Sequence, residues 1–502
     1  MSFESIGFDD LHALAEAARA LDGVVAAIPG HASVLVLARD SALTGAIEAA
    51  IKGVIDRGLT ARSLTELERH ELEVDFADEH APDMQLLLAR AGLSKADLLA
   101  RIASLELRAR YLGFLPGFAY LEGWPEDWSL PRRATVRERV PAGSFGIAGA
   151  MAGFYPGESP GGWNIIGRTS ATLWDPSGVR PNTIAAGDFV TIRAGRFIAA
   201  QDAAPTPAFG AEALAEVVAP GVATIVAGEP DMERYEHGIA PGGVFDEAAL
   251  RLANWLVGNG NGAMALECAA LGPRLRFHVP CTIAIAGAEV DATVDGARVP
   301  MRARIEVATG TMLEAGPVRG GMRAVIAFRG GLVAGEPRWS PRPARLARGD
   351  RIFGAGVEAR TLPLIPPPSG DRFAITAHAG PHDLDVALLE HITSRAWKVT
   401  PSLDRTGIRL AAGAPPAEIP ALLPSCGMRA GSVQWHPGGE LVVMGPDHPI
   451  TGGYLQPLTV PGRELWKVAQ LAPGDEVRFV LETQPLARPT YPCATTLRTR
   501  GS

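Results

Sequence analysis

The chain has 502 residues, of which 47% are hydrophobic and 20% charged, and a formal charge of −8 at pH 7. That length exceeds what one core supports and divides into roughly three or four domains. The acidic balance excludes a basic nucleic-acid face, and no apolar run approaches the ~20 residues of a membrane span.

The opening MSFESIGFDD is acidic and has no apolar core segment, so no secretory signal is expected and a cytoplasmic location is predicted. Cys268, Cys281, Cys426 and Cys493 form no C-x-x-C pair and read as reduced thiols, not as a disulfide or zinc site. Residues 1–110 read as a small α/β module. Within it, Leu11–Leu21 and Thr44–Arg57 have helical spacing, and Ser33–Ala38 is a short buried strand. Leu72–Phe76 alternates as a half-exposed strand, and Pro82–Arg90 and Ser94–Arg108 look helical, with Ser94 and Asp97 placed as a capping pair.

From Tyr111 short apolar runs alternate with Gly/Pro/Asp turns, as in sandwiches and barrels. AAGDFVTI (185–192), ARGDRIF (347–353) and APGDEVRF (472–479) repeat one element, a Gly-Asp turn feeding an alternating strand. They read as the closing strands of three related β units, and Ala203–Gly210 as a linker. The expected fold class is α+β and predominantly β, with β domains over 111–202, 211–355 and 356–502 after the module.

GESPGGW (157–163) spells the G-x-S-x-G nucleophile elbow. Pro160 follows Ser159 and has no N–H for an oxyanion hole, and Gly161-Gly162 starts a helix poorly, so Ser159 is not expected to be a nucleophile. Arg132, Arg133, Arg137 and Arg139 lie within ten residues. On a strand, Arg133 and Arg137 share a face, able to hold a carboxylate in a fork or simply to edge a solvated strand. His378 and His382 have metal-pair spacing, but Gly380-Pro381 denies them the helix that would converge them, so no metal is expected. Asp404, Arg405, Gln434, His436 and Asp447 sit in glycine-bounded turns, and Asp246 and Glu267, with Asn254, are acid candidates or buried hydrogen-bonding groups.

YLGFLPGFAY (111–120), PRRATVRERVPAGSFGIAG (131–149) and YPGESPGGWNIIGRT (155–169) together resemble the B-subunit of bacterial 5-oxoprolinase, also called allophanate hydrolase subunit 1, a family that includes the Kip kinase inhibitor. GIAPGGVFD (238–246), LECAALGPRLRF (266–277), DRTGIRL (404–410), GSVQ (431–434), TGGY (451–454) and LWKVAQLAPGDEVRF (465–479) resemble the C-subunit, or allophanate hydrolase subunit 2. The same pair resembles the carboxyltransferase region of urea carboxylase. The resemblance implies cyclophilin-like β barrels and a natural fusion of the two subunits. It implies catalytic roles for Asp246, Asp404 and Gln434, and substrate contacts from Arg133, Arg137, Ser144, Tyr155, Trp163, Arg405, Asp447 and Tyr454.

The implied activity is ATP-dependent ring opening of 5-oxoproline or a related cyclic amide. Since no Walker loop or biotin-acceptor motif is present, ATP, with Mg, would enter through a subunit-A-like (LamB/YcsF-type) partner. A small-molecule substrate and a homo-oligomer are compatible with this reading. Two alternatives stand beside it: a non-enzymatic regulator of a kinase or enzyme, and a carboxyltransferase component of a biotin-dependent urea or amide carboxylase. Relatives carry Gln, Asp and Arg where this chain has Ala227, Gly228 and Asp231, so a cleft lined by that stretch should bind 5-oxoproline weakly.

Overall fold

The computed structural model describes residues 7–59, 67–199, 213–356, 369–382, 384, 386–413, 419 and 423–482. The expected linker Ala203–Gly210, Asp383 and Cys493 lie outside these residues. Helix Phe8–Arg19 places Leu11, Leu14, Ala15 and Ala18 on one stripe, the spacing a helix needs to bury one face. That stripe packs with Ile47 and Ile51 of helix Thr44–Arg57 against the hairpin Val24–Pro29/Val34–Ala38. Ser94 caps helix Lys95–Ala103 by accepting from the Asp97 N–H, as its spacing predicted. That helix stops before 108 because Leu107–Gly113 alternates buried and half-buried residues and runs as a strand.

Strand Arg69–Val74 pairs in parallel with Phe189–Ala194 and so joins the first large sheet. The division drawn at 110 therefore falls inside a strand of that sheet. The sheet has seven strands, and its two edges meet where the Asp75 and Arg168 backbones exchange hydrogen bonds of 2.7 and 2.9 Å. Its core holds Leu87, Leu107, Leu121, Phe145, Ile147 and Val190, each contributing roughly 1.5–3 kcal/mol on burial. The middle unit faces a six-stranded sheet with a five-stranded one, and helix Glu247–Val257 covers strands Cys281–Val290 and Val318–Phe328. The last unit is a closed barrel whose ring is completed by the parallel pair Ala374–Ala379 and Glu476–Leu481. The fold is α+β and predominantly β, as expected.

The repeated Gly-Asp element has one geometry at all of its sites. Asp188, Asp350 and Asp475 each accept, through a carboxylate oxygen, the N–H of the alanine three residues earlier, at 2.9, 2.7 and 2.9 Å. Gly187, Gly349 and Gly474 have φ of 104°, 91° and 93°, a region glycine enters without a Cβ clash. Each glycine N–H donates to a neighbouring strand, at Ala109, Val217 and Val399, and those residues donate back to the aspartate carbonyls. The likeness read from sequence is thus a shared backbone device that locks each closing strand to a neighbouring strand of its unit.

Candidate functional site

Arg133 and Arg137 do share a face, but a protein carboxylate occupies their fork. Arg133 donates to Asp83 Oδ1 at 3.0 Å, and Arg137 grips both Asp83 oxygens at 2.8 and 2.9 Å. Asp83 is buried and also accepts from the Ile165 N–H at 2.6 Å. The pair therefore ties the segment 131–140 to the barrel, and its charge is answered by Asp83 inside the chain. Arg132 points elsewhere: it has no ion-pair partner among the described residues, and its charge acts on Tyr111, Tyr120 and Tyr155.

Those tyrosines belong to an aromatic cluster with Phe118 and Trp163 on one side of the first barrel. Tyr111 stacks on Tyr120 at 4.4 Å, and Trp163 meets Phe118 edge-on at 5.5 Å. Burial pushes the Tyr111 and Tyr155 hydroxyls up to about 12. The 157–163 loop serves this cluster: a side chain at Gly161 would overlap the Tyr155 hydroxyl. Ser159 sits in strand Ser159–Gly161, paired with Arg137–Val140. Its buried hydroxyl has no partner among the described residues, so no base activates it. Ser144 is buried in strand Ser144–Ala148 and its carbonyl accepts from the Tyr155 N–H.

The cluster ends at a seam with the last barrel. Tyr111 hydrogen-bonds the Ser425 side chain, and the His31 N–H donates to the Ser425 carbonyl at 2.6 Å. Gly113 packs so closely that a Cβ there would overlap Thr451 Oγ1, while the next residue, Phe114, holds φ at 64°. Such strain in a non-glycine residue costs of order 1–3 kcal/mol and collects at functional sites. Across the seam, Gln434 is buried next to Gly452, and Gln434 Nε2 and Thr451 Oγ1 are buried without hydrogen-bond partners among the described residues. Tyr454 lies half-buried against His436, ring centroids 4.2 Å apart, and burial lowers that imidazole to about 4.

A second polar layer joins the middle unit to the last barrel. Arg405 grips Asp447 with Nε at 2.8 Å and Nη2 at 3.0 Å, reaches Glu267 at 2.7 Å, and donates to the Gly243 carbonyl. Glu267 also accepts from the Phe245 and Asp246 N–H groups. Asp246 accepts from Ala249 N–H, capping helix Glu247–Val257, and from Gln470 Nε2 at 2.6 Å. Full burial pushes its carboxyl up to about 6. Asp404 accepts from the Thr406 and Gly407 N–H groups in a surface turn.

Residues 4–184 match the carboxyltransferase domain, subdomains C and D, and residues 237–481 match its subdomains A and B. The first half is 38% identical over 174 residues to the 5-oxoprolinase B-subunit of Escherichia coli O157:H7, covering 34% of this chain and 78% of that protein. The chain belongs to this carboxyltransferase-domain family. Its second half is 26% identical over 269 residues to the 5-oxoprolinase C-subunit of Escherichia coli K12, covering 49% of this chain and 84% of that protein. The crystal structure of TTHA0988 superposes with a TM-score of 0.82 at 29% identity, covering 96% of this chain and 99% of that one. Urea amidolyase of Saccharomyces cerevisiae is 28% identical over 303 residues, 53% of this chain, and the chain spans 16% of that protein's length. It spans less than a quarter of each fungal relative it matches here.

On the carboxyltransferase-domain framework the expected site residues separate into distinct places. Gln434 lies beside Gly452 at the seam between the two halves, Tyr454 packs against His436 within the last barrel, and Tyr155 and Trp163 belong to the aromatic cluster of the first barrel. Asp404, Arg405 and Asp447 line a cleft on the other boundary of the last barrel, and Asp246 lines a separate cavity with Gln470. Sequence reading missed Asp83, whose A-P-D-M context looks like a helix start, and Thr451 and Gln470. The TGGY and LWKVAQL motifs held the signal for Thr451 and Gln470.

Ala227, Gly228 and Asp231 do not line either of these cavities. Ala227 packs in the apolar layer under helix Glu247–Val257, while Asp231 pairs with Arg338 at 3.0 Å and caps the turn Met232–His237. The Asp231 charge is thus answered inside the chain by Arg338. His378 and His382 diverge, the first toward Glu482 and the second accepting the Gln456 N–H. Glu68, His70 and Asp188 come within metal-ligand reach of one another, but both Asp188 oxygens are already engaged in the Gly-Asp turn and its neighbours.

Proposed function

We propose that this chain is a fused 5-oxoprolinase B/C-type component that binds and orients 5-oxoproline or a related cyclic amide for ATP-dependent hydrolysis. The observation that carries this reading is the pair of orphaned polar atoms at the seam, Gln434 Nε2 and Thr451 Oγ1. A buried polar atom left unpaired costs roughly 1–3 kcal/mol, a cost recovered when a ligand supplies the partner. An amide N–H and a hydroxyl are both donors, so the carbonyl oxygen of an amide substrate is a partner that either could take. The aromatic wall excludes water behind it, and Arg132 at its rim offers a cation for a substrate carboxylate.

The described residues form no glycine-rich cradle between a strand and a helix for a nucleotide phosphate, and in the Glu68–His70–Asp188 group both Asp188 oxygens are already engaged. ATP and Mg are therefore assigned to a subunit-A-like partner, and activation of the amide belongs to that partner. Co-expression with such a partner should give 5-oxoproline-dependent ADP release, and Gln434→Leu should lower kcat/KM at least tenfold at unchanged melting temperature. Absence of turnover with a folded partner present would remove the hydrolase reading. Carboxyl transfer from an added carboxybiotin carrier would favour the carboxyltransferase reading, which the match to urea amidolyase supports.

A further inference from the structure

Between the middle unit and the last barrel lies a cleft of about 290 Å³, on the boundary away from the seam. Its apolar wall includes Val222, Ile225 and Leu403, and its charged lining sets Arg323, Arg342, Arg345 and Arg405 beside Glu267, Asp404 and Asp447. The buried arginines are committed: Arg405 to Glu267 and Asp447, and Arg323 to the Ala469 carbonyl. The exposed ones are not. Arg342 makes one long contact, 3.3 Å to Thr406 Oγ1, and neither Arg342 nor Arg345 has an ion-pair partner among the described residues.

The segment carrying them is held in place. Leu346 N–H donates to the Thr224 carbonyl, Arg345 bridges Ile225, and the Ala344 N–H binds Glu336. Pro341 and Pro343 flank Arg342 and confine its backbone to extended conformations. Glu267 and Asp447 are already taken by Arg405, so two guanidinium groups without an ion-pair partner among the described residues remain at the mouth of a partly apolar cleft, and together they suit a doubly charged oxyanion.

We propose that this cleft binds a phosphate group, held by Arg342 and Arg345, with any organic remainder against Val222, Ile225 and Leu403. The inference does not depend on the seam reading, because the cleft shares no residue with Gln434 or Thr451. Calorimetric titration of the full chain at low ionic strength with inorganic phosphate, and separately with glycerol phosphate, tests it. Saturable binding is expected, weakened at least tenfold by Arg342→Ala/Arg345→Ala and unchanged by Arg139→Ala at a remote surface pair. Tighter binding of glycerol phosphate identifies a phosphomonoester; equal binding identifies the phosphate group alone. If the double variant misfolds, Arg345→Gln at unchanged melting temperature should still weaken binding severalfold. No saturable binding of either compound, or equal binding by the folded arginine variants, would overturn the assignment.

Discussion

Asp246 serves two structures with one carboxylate: Oδ1 caps a helix and Oδ2 receives the Gln470 amide from the last barrel. Complete burial makes its ionised form costly, so its carboxyl titrates at about 6 in the folded chain against 3.8 ordinarily. The folded state therefore binds the proton more tightly, and this group favours folding below the ordinary value and opposes it progressively as pH rises to about 6. The full effect is on the order of 3 kcal/mol. Urea unfolding of the native chain and of Asp246→Asn, compared from pH 4 to 7, should show the native chain losing roughly 2–3 kcal/mol relative to the variant. A pH-independent difference would contradict it. Asn presents a second N–H to Gln470, so the variant should also be less stable than the native chain at pH 4.

At the scale of elements, the Gly-Asp turns make one device do the same work in three units. Each glycine combines a positive φ with an N–H bond to the neighbouring strand, so an alanine there strains the backbone that aligns the closing strand. Gly474→Ala, at φ 93°, should cost about 1–2 kcal/mol, and Gly187→Ala and Gly349→Ala should act in the same direction. Denaturant midpoints read at constant slope check this. Losses below a few tenths of a kcal/mol at all three positions would show that the turns do not constrain the strands.

Across the whole molecule, Arg405 is a principal tie between the middle unit and the last barrel. It sits between Glu267 and Asp447, whose side chains are each only 3% exposed. Removing the cation strands two buried carboxylates, a loss of about 3–5 kcal/mol. Arg405→Lys keeps the charge but not the fork and should fall between native and Arg405→Ala. Amide exchange should speed up first at residues 243–249 and 405–407, where the tie meets each unit. Exchange that accelerates uniformly, or a loss under 1 kcal/mol, would show that Arg405 does not hold the two units together.

Local pattern was enough for the β-rich class, the helix Thr44–Arg57, the Ser94 cap and the kinship of the Gly-Asp strands. These rest on spacing, capping chemistry and glycine freedom within a few residues of each other. Pattern also disposed of Ser159 as a nucleophile, because the missing N–H of Pro160 is a covalent fact. The roles of the charges came from folding instead. Arg133 and Arg137 looked ready for a substrate carboxylate until folding brought Asp83, some fifty residues earlier, into their fork. Likewise Asp246 became a buried clamp through Gln470, 224 positions away. A side chain's electrostatic role is set by what lies within about 4 Å of it and by how far water is excluded, and both are properties of long-range packing that no local pattern records.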